Sequence, residues 1–377
     1  MHRLRLCSCH RTRGLYILLA LVSAIVHPLP VFHYRRKAIM KKVIVVTGAN
    51  SGIGLSPCER LLCEDAGLQL CLACRNMQRA DAAHLLHLDV GSVCSVLCAA
   101  HEVKARYTRL DYLYLNAGIM PNPQVDIKAF FKGLFSSNAV NMFATAEGLL
   151  TQQDCVNKDG LQEVFATNLF GHFMLVRELE PVLCQAGQTS QVVWTSSSNA
   201  RRSAFNLDDV QHRRGTEPYT SSKYASDFLS LALNIHNNSH MLILLHMSGL
   251  YSSVICPGLV MTNLTYGILP SFLWTLIMPI MCLTRIFTNT FPLTPYNGAG
   301  AMHSLFVQKP ESLDPKYHSL TSCMGSNYTQ PRQMDVDDDV SEALYVKLLE
   351  MEKATHKRLK EEDDDKQAYK KYLHQTE

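Results

Sequence analysis

The sequence predicts an α/β fold: a doubly wound parallel sheet with helices on both faces, built as a single domain. From Lys42 onwards, short β-branched or apolar runs alternate with longer amphipathic segments, which is typical of strand and helix units in a parallel sheet. A glycine-rich turn follows the first run, and polar residues follow several later runs. Because ligands bind at the carboxyl ends of such strands, these turns are the expected site.

The predicted elements follow one another in chain order. The expected strands are residues 43–47, 69–73, 85–89, 110–116, 191–196, 252–257 and 316–320. Helices are expected from about Ile53, through Val103, around Tyr219 and over residues 297–307. Only about nine residues link the second and third strands, fewer than a parallel crossover usually needs, so this connection is expected to be strained or lost. Residues 236–248 are interpreted as an insertion.

Composition indicates an ordinary globular core. The chain has 377 residues, of which 47% are hydrophobic and 18% charged. The formal charge of +3 is small and the basic residues are scattered except at the two ends, so no nucleic-acid partner is expected. The 13 cysteines are irregularly spaced, which indicates reduced thiols. Cys71 and Cys74 form a C-x-x-C inside an apolar run; we interpret it as structural, with a redox or zinc site as the alternative, and expect no metal.

Three regions are expected along the chain. Residues 1–39 form a basic and apolar head that resembles a signal anchor but is short for a bilayer span. Because Met40 begins a complete domain start, the head is either an anchor or a dispensable extension. The domain is expected over residues 40–330. In the charged tail, residues 331–377, Leu344, Leu348 and Met351 recur at helical spacing and predict an amphipathic helix that docks on the domain, or a solvated surface helix.

A glycine-rich loop after the first strand predicts a dinucleotide site. Its glycines let the backbone turn sharply and approach a pyrophosphate, while the helix that follows presents free N–H groups and a partial positive charge. The sheet is therefore expected to be of the Rossmann type. The expected contacts in this loop are Thr47, Gly48, Asn50, Ser51, Gly52, Ile53 and Gly54.

Later strand ends supply the rest of the expected cofactor site. Arg75 ends the second strand, where an NAD site carries an acidic residue. An arginine suits a 2′-phosphate instead, so NADPH and the reductive direction are predicted. The remaining expected contacts are Asp89 and Val90 near the adenine, Asn116, Ala117 and Gly118 after the fourth strand, Pro257 and Gly258 after the sixth, and Thr262 at the nicotinamide amide.

Tyr219 and Lys223 carry the expected chemistry. Four residues apart on a helix, they share one face, with β-carbons roughly 5–6 Å apart. An ammonium beside a phenol lowers the phenol pKa, and a phenol with a lowered pKa can give a proton to a carbonyl near neutral pH. Taken alone, the pair is more typical of an exposed helix surface. The glycine-rich loop and a serine cluster at residues 195–198 favour the chemical interpretation.

Together these motifs resemble the classical short-chain dehydrogenase/reductases over about residues 40–330. The resemblance lies in the loop at 47–54, Asn116-Ala117-Gly118, Asn168, the serines after the fifth strand, and Tyr219 with Lys223.

The resemblance implies a catalytic tetrad. Tyr219 would protonate the substrate oxygen, and Lys223 would lower the tyrosine pKa and bind the nicotinamide ribose. A serine would hold the substrate carbonyl; Ser197 is the best match, and the serines on either side of it stay open. Asn168 would hold a water that relays protons to Lys223, or is a buried asparagine satisfied by backbone groups.

Four further segments, residues 116–124, 145–151, 263–270 and 293–298, resemble the steroid-reducing members of this family. That resemblance implies NADPH-dependent reduction of a keto-steroid to a hydroxysteroid. The implied substrates are 3-keto sterol intermediates of cholesterol biosynthesis and the 17-keto group of estrone, which gives estradiol. A reductase of retinal or another lipophilic carbonyl is the alternative enzyme, and a non-catalytic scaffold that keeps the fold is the alternative class.

A membrane partner is also implied, since the family resemblance includes proteins of the endoplasmic reticulum membrane. Residues 267–283 are apolar and uncharged but reach only about 25 Å as a helix, and Pro279 is expected to interrupt it. We interpret residues 267–287 as a substrate lid that dips into one leaflet, with a buried substrate-loop helix as the alternative. A glycan on the sequon at Asn263 would crowd Thr262, so the catalytic domain is expected to face the cytosol. We also consider a homodimer.

Overall fold

The computed structural model describes most of the chain from Lys42 onwards. The described residues are 42–65, 67–76, 84–134, 136, 142, 145, 147–185, 189–237, 249–269, 271–288, 291–322 and 324–375. The head at residues 1–39, the connection at 77–83 and most of the stretch interpreted as an insertion lie outside them.

Strands and helices alternate through the described residues. The strands are β1 Val43–Thr47, β2 Gln69–Cys74, β3 His84–His87, β4 Tyr112–Leu115, β5 Gln124–Val125, β6 Leu150–Thr151, β7 Thr189–Thr195, β8 Gly249–Cys256, β9 Lys316–Thr321 and β10 Asn327–Pro331. The helices are α1 Gly52–Glu64, α2 Val93–Arg106, α3 Ile127–Leu134, α4 Glu163–Phe165, α5 Gly171–Leu183, α6 Pro218–Asn237, α7 Asn263–Tyr266, α8 Ser271–Thr288, α9 Pro295–Gly298, α10 Gly300–Val307 and α11 Asp338–Gln375. A π-helical segment, Ala166–Phe170, joins α4 to α5.

One large sheet organises the domain, in the strand order β10-β9-β8-β7-β4-β1-β2-β3. All its neighbours pair in parallel except β9 and β10. Side chains of α2, α5, α6 and α11 join the core on one face, and those of α1 and α10 join the core on the other. The predicted doubly wound fold is therefore confirmed. Because the strand order reverses between β1 and β4, a ligand crevice is expected there.

Two strands towards the ends of the sheet, β3 and β9, test expectations from the sequence. β3 pairs in parallel with β2, with Cys71–Cys74 opposite His84–His87, so the third strand is kept in spite of its short connection. At the other side, β9 pairs in parallel with β8, which confirms the strand predicted near residues 316–320. The chain therefore returns to the sheet after α8.

The tail helix α11 docks on the domain through its first turns. Leu344 and Leu348 are fully buried, and the ring of Tyr345 stacks on His236 at the end of α6, with centroids 4.3 Å apart. Arg177 of α5 pairs with Glu352 at 3.1 Å. The tail thus braces the helix that carries Tyr219 from the side facing away from the sheet.

Helix α8 corrects one expectation. Pro279 was expected to interrupt the helix, but α8 continues through it from Ser271 to Thr288. Proline costs a helix interior about 3 kcal/mol, and on either side of Pro279 the helix packs Trp274 and Met281 in one buried cluster with Phe291. Across the described part of the chain, none of the helices combines the length and the apolar character that a bilayer crossing requires.

Candidate active site

A cavity of about 630 Å³ opens at the carboxyl ends of the central strands. It collects predicted site residues from seven separate stretches of the chain, which therefore converge in space. The predicted residues that line it are Gly48, Asn50, Ser51, Gly52, Ile53, Arg75, Asp89, Val90, Asn116, Ala117, Gly118, Ser197, Tyr219, Lys223, Pro257, Gly258 and Thr262. Thr47, Gly54 and Asn168 do not line the cavity but lie behind its wall.

The glycine-rich loop has the backbone that a dinucleotide site needs. Gly48 and Gly52 have φ angles of 65° and 57°, in the region that favours glycine. A β-carbon at Gly54 would lie 2.4 Å from both Asn116 Nδ2 and Gly48 O, so only glycine fits there. Helix α1 begins at Gly52, and Ser51 makes no side-chain cap, which leaves N–H groups of the first turn directed at the cavity. These residues fit a nicotinamide dinucleotide.

Thr47 acts from behind this loop. Its Oγ1 accepts the N–H groups of Asn116 at 2.9 Å and Ala117 at 3.0 Å, and lies 3.0 Å from His172 Nε2. Burial lowers the pKa of His172 to about 3, so its ring is neutral. The Thr47 hydroxyl also donates to Tyr114 O at 3.4 Å. Thr47 is fully buried. Instead of the expected contact with the cofactor, the Thr47 side chain makes hydrogen bonds that connect β1 to the turn after β4.

The remaining cofactor-side residues surround the loop. Arg75 is exposed at the end of β2, and Asp89 Oδ1 accepts the Gly91 N–H at 3.1 Å. Thr262 lies across from the loop, close enough that a β-carbon at Gly52 would be 3.2 Å from its methyl group. Gly258, with φ of 69°, turns the chain after β8. The walls of the cavity thus come from strand ends on both sides of the point where the strand order reverses.

Tyr219 and Lys223 lie on the face of α6 that borders the cavity. The Lys223 Nζ donates to Thr195 O at 2.7 Å and lies 5.7 Å from the centroid of the Tyr219 ring. Lys223 is only 4% exposed. The first turn of α6 is fixed by Gln152, whose Oε1 accepts the Tyr219 N–H at 3.1 Å. The predicted pair is therefore on one face, as its spacing requires.

Electrostatics at this pair differ from the prediction. Burial of its hydroxyl raises the pKa of Tyr219 to about 12, opposed by a hydrogen bond with Ser197. Burial lowers the pKa of Lys223 to about 8, opposed by the Asp227 carboxylate. The expectation that Lys223 lowers the tyrosine pKa is wrong for this arrangement. The reason is geometric, since the ammonium is directed at the Thr195 carbonyl.

The serine cluster separates into distinct positions. Ser197 hydrogen-bonds with the Tyr219 hydroxyl, and its Oγ also accepts the Asn199 N–H at 3.1 Å. Ser196 is buried, and its hydroxyl donates to Lys223 O at 3.4 Å, away from the phenol. The long stretch between Ser197 and Tyr219 is closed by an ion pair between Arg201 and Glu217. Ser197 and Tyr219 therefore meet in spite of that length.

Asn168 lies in the π-helical segment and is 2% exposed. Its Oδ1 accepts the Ile119 N–H at 2.8 Å, and its Nδ2 donates to Ile119 O at 3.0 Å and to Ser222 Oγ at 3.1 Å. A β-carbon at Gly118 would be 3.3 Å from Asn168 Oδ1 and 3.4 Å from Lys223 Nζ. The side chain therefore holds the turn after β4 against α6, next to the ammonium.

Sequence reasoning missed three residues that support the site. Gln152 Oε1 accepts the Tyr219 N–H at the start of α6 from 67 positions away, His172 Nε2 lies 3.0 Å from Thr47 Oγ1, and the Thr195 carbonyl accepts from Lys223. Nothing local marks Gln152 or His172, since each acts through a contact that only the fold creates. Thr195 carried a signal, because it directly precedes the serine cluster.

Comparisons with known proteins agree with this geometry. A family model described as short chain dehydrogenase matches residues 42–154. The chain is 55% identical over 339 residues to the 3-keto-steroid reductase/17-beta-hydroxysteroid dehydrogenase 7 of Rattus norvegicus, covering 86% of this chain and 99% of that protein. It is also 55% identical over 344 residues to the Homo sapiens protein of the same name, covering 87% and 98%. The chain belongs to the short-chain dehydrogenase/reductase family.

A solved structure supports the fold of this short-chain dehydrogenase/reductase. A crystal structure of an uncharacterized protein from Mycobacterium Paratuberculosis superposes with a TM-score of 0.53 at 21% identity, covering 83% of this chain and 93% of that one. At that identity the likeness concerns the fold alone. The family uses a nicotinamide dinucleotide, which agrees with the loop geometry.

Replacement of Gly54 tests the dinucleotide loop. We expect Gly54→Ala to weaken binding of the nicotinamide dinucleotide by about tenfold or more, since the new β-carbon would displace Asn116 or the Gly48 carbonyl. Isothermal titration calorimetry measures the affinity, and thermal melting checks the fold. Gly300→Ala is the matched control, because its nearest neighbour, Ser319 Oγ, is 3.9 Å away. Unchanged affinity in Gly54→Ala would contradict the assigned loop.

Proposed function

We propose that the chain reduces the keto group of a steroid to a hydroxyl with NADPH. The observation that carries the proposal is the Tyr219 hydroxyl, hydrogen-bonded to Ser197 and one helical turn from Lys223, inside a cavity that begins at a dinucleotide loop. The names of the rat and human relatives support 3-keto and 17-keto steroids as substrates. A fission yeast relative, 29% identical over 216 residues, is also named a 3-keto-steroid reductase.

The residues divide the reaction between them. The glycine-rich loop would hold a reduced dinucleotide, which would supply the hydride to the carbonyl carbon. Tyr219 gives its proton to the carbonyl oxygen; with a pKa of about 12 it is protonated at neutral pH and so acts as the acid. Ser197 holds the same oxygen and stabilises the negative charge that develops on it. Lys223, with a pKa of about 8, still carries a positive charge at neutral pH and would bind the nicotinamide ribose, as the family resemblance implies.

Asn168 has a positioning role in this proposal. Its amide is fully engaged with Ile119 and Ser222, so it fixes the wall beside Lys223. A water held near this asparagine and Lys223 would return a proton to Tyr219 after each turnover. The relay stays a prediction from the family resemblance.

Two ends of the cavity support the choice of cofactor and substrate. Arg75 is exposed at the end of β2 and lines the cavity, where a 2′-phosphate would lie, which favours NADPH. At the other end the lining is apolar and includes Met120, Leu150, Leu264 and Ile268. A steroid needs such a lining because nearly all of its surface is hydrocarbon.

We place the protein at the endoplasmic reticulum membrane, with its catalytic domain in the cytosol. Helix α8 supports a membrane contact, since Phe272, Leu276 and Leu283 are each at least 60% exposed. The sequon at Asn263 supports the cytosolic side, because Asn263 itself lines the cavity and a glycan there would block it. A homodimer stays a prediction from the family resemblance.

Replacement of Tyr219 tests the reaction. We expect Tyr219→Phe to lower turnover by about 10²-fold or more while NADPH binding is unchanged, because only the donated proton is lost. Purified protein with NADPH and a panel of 3-keto sterols, estrone and retinal measures it. Tyr328→Phe, at an exposed tyrosine, is the control. Turnover that survives in Tyr219→Phe would remove the mechanism, and retinal as the best substrate would remove the steroid.

Charge reversal at Arg75 tests the cofactor. We expect Arg75→Asp to lower the preference for NADPH over NADH by about tenfold or more, since a charge-assisted contact to the 2′-phosphate is replaced by repulsion. The ratio of kcat/KM for the two cofactors measures the preference. Arg213→Asp changes the same charge at another exposed position and is expected to leave the ratio unchanged. An unchanged ratio in Arg75→Asp would assign the specificity elsewhere.

The sequons test the membrane side. We expect the full chain, expressed in cells, to show no change in mass on glycosidase treatment, because Asn263 then lies in the cytosol. The positive control is the same chain with an added signal sequence that directs it to the lumen, where its sequons can be glycosylated. Glycan on Asn263 in the unmodified chain would contradict a cytosolic catalytic domain.

A further inference from the structure

We infer that α3 and α8 form one lipid-facing surface around the apolar end of the cavity, with an anionic bilayer leaflet as its partner. A steroid would then enter the cavity directly from the bilayer. This inference rests on the proposed steroid reduction and names the second helix, α3, as part of the membrane contact.

Helix α8 supplies the longer half of the surface. Phe272, Leu276, Ile280 and Leu283 follow one another at helical spacing and are 51–66% exposed. The opposite side of the helix is buried, with Trp274 and Met281 packed against Phe291 and Leu293. Apolar side chains thus occupy both sides. A helix of this length reaches about 27 Å, so it suits lying along a leaflet rather than crossing a bilayer.

Helix α3 supplies the shorter half. Asp126 begins it, with Oδ1 accepting the N–H groups of Lys128 at 2.9 Å and Ala129 at 3.0 Å. Ile127 and Phe131 are 68% and 55% exposed, two large apolar side chains one turn apart. Lys128 and Lys132, also exposed and one turn apart, lie beside them. Exposed apolar residues flanked by lysines are typical of a helix that lies in a membrane interface.

Ile268 connects the packing of the two helices to the cavity. The inner side of α3, Ala129 and Phe130, packs against a cluster of Met142, Leu149 and Leu150. Ile268 packs against that cluster and also against the cluster beneath α8. Ile268 and Leu150 line the cavity itself. The two helices that expose apolar side chains outward therefore pack, on their inner sides, against residues that line the apolar end of the cavity.

Charge favours a bilayer over a second copy of the chain or another protein. Neither α3 nor α8 contains an aspartate or glutamate, whereas they carry Lys128, Lys132 and Arg285. Bases next to exposed apolar residues match the phosphates and acyl chains of an anionic leaflet. A steroid also partitions into these acyl chains. A surface that contacts them therefore lies next to the dissolved substrate.

Fluorescence quenching tests where the two helices lie. The full chain is bound to phosphatidylcholine and phosphatidylserine vesicles whose acyl chains carry bromine. The added tryptophans of Phe131→Trp and Leu276→Trp are expected to be quenched, whereas that of Val307→Trp, at a 63% exposed position of α10, is not. The unmodified chain, whose tryptophans are the buried Trp194 and Trp274, is measured under the same conditions as the background. This readout does not depend on whether residues 1–39 also anchor the chain.

Turnover tests what the contact does. Phe131→Glu and Phe272→Glu are expected to lower turnover of a 3-keto sterol presented in vesicles by about tenfold or more, and to leave turnover of the same sterol in detergent unchanged. Val307→Glu is the matched control and is expected to change neither. Lys128→Glu is expected to weaken the effect of phosphatidylserine on vesicle turnover.

Each outcome decides a separate point. If the tryptophan at residue 131 is quenched no more than the tryptophan at residue 307, the two-helix surface is wrong. This holds even if the tryptophan at residue 276 is quenched. The emission of the tryptophan at residue 131 could instead shift with protein concentration without being quenched by bromine. That result would assign the surface to contact with a second copy of the chain. Equal losses in vesicles and detergent would overturn entry from the bilayer. No turnover by the unmodified chain in detergent would instead sink the proposed function, while the quenching result would still stand.

Discussion

The hydrogen bond from the Lys223 ammonium to the Thr195 carbonyl holds the site together. It joins the middle of α6 to the last residue of β7, and the ammonium that makes it is almost fully out of water. A buried charge without a partner is costly, so α6 has one favourable position against the sheet. That position turns Tyr219 towards Ser197 and brings Asn168 beside Lys223. The geometry of the whole tetrad therefore depends on one desolvated cation.

A second buried cation stabilises the same helix one turn later. Asp227 pairs with Lys316 of β9 at 2.5 Å, and both side chains are mostly buried. The Asp227 carboxylate also opposes the fall in the Lys223 pKa that burial causes. Strand β9 is added to the sheet only after the chain has passed through α8, so the segment with α7 and α8 is fixed at both ends. This segment and the helix that carries Tyr219 are in this way held by the same sheet.

Chemical character changes along the cavity because its walls come from different parts of the fold. Strand ends at the reversal between β1 and β4 supply backbone N–H groups and glycines, which suit phosphates. The apolar part of the lining consists of Met120, Leu150, Leu264 and Ile268. Helix α3 packs behind Leu150, and helix α8 packs behind Ile268. The proposed hydride and proton transfers would occur where the two halves meet, at Tyr219 and Ser197.

The sequence by itself determined the sheet, its parallel pairing and the residues of the cofactor loop, because hydrophobic periodicity and glycine spacing are local properties of the chain. It also placed Tyr219 and Lys223 on one helix face, since four-residue spacing fixes that. Only the tertiary structure decided which serine meets the phenol, that Thr47 lies behind the loop rather than in it, and that α8 continues through Pro279. It also reversed the expected tyrosine pKa shift. Each of these depends on burial and on partners distant in sequence, such as Gln152, which local patterns do not contain.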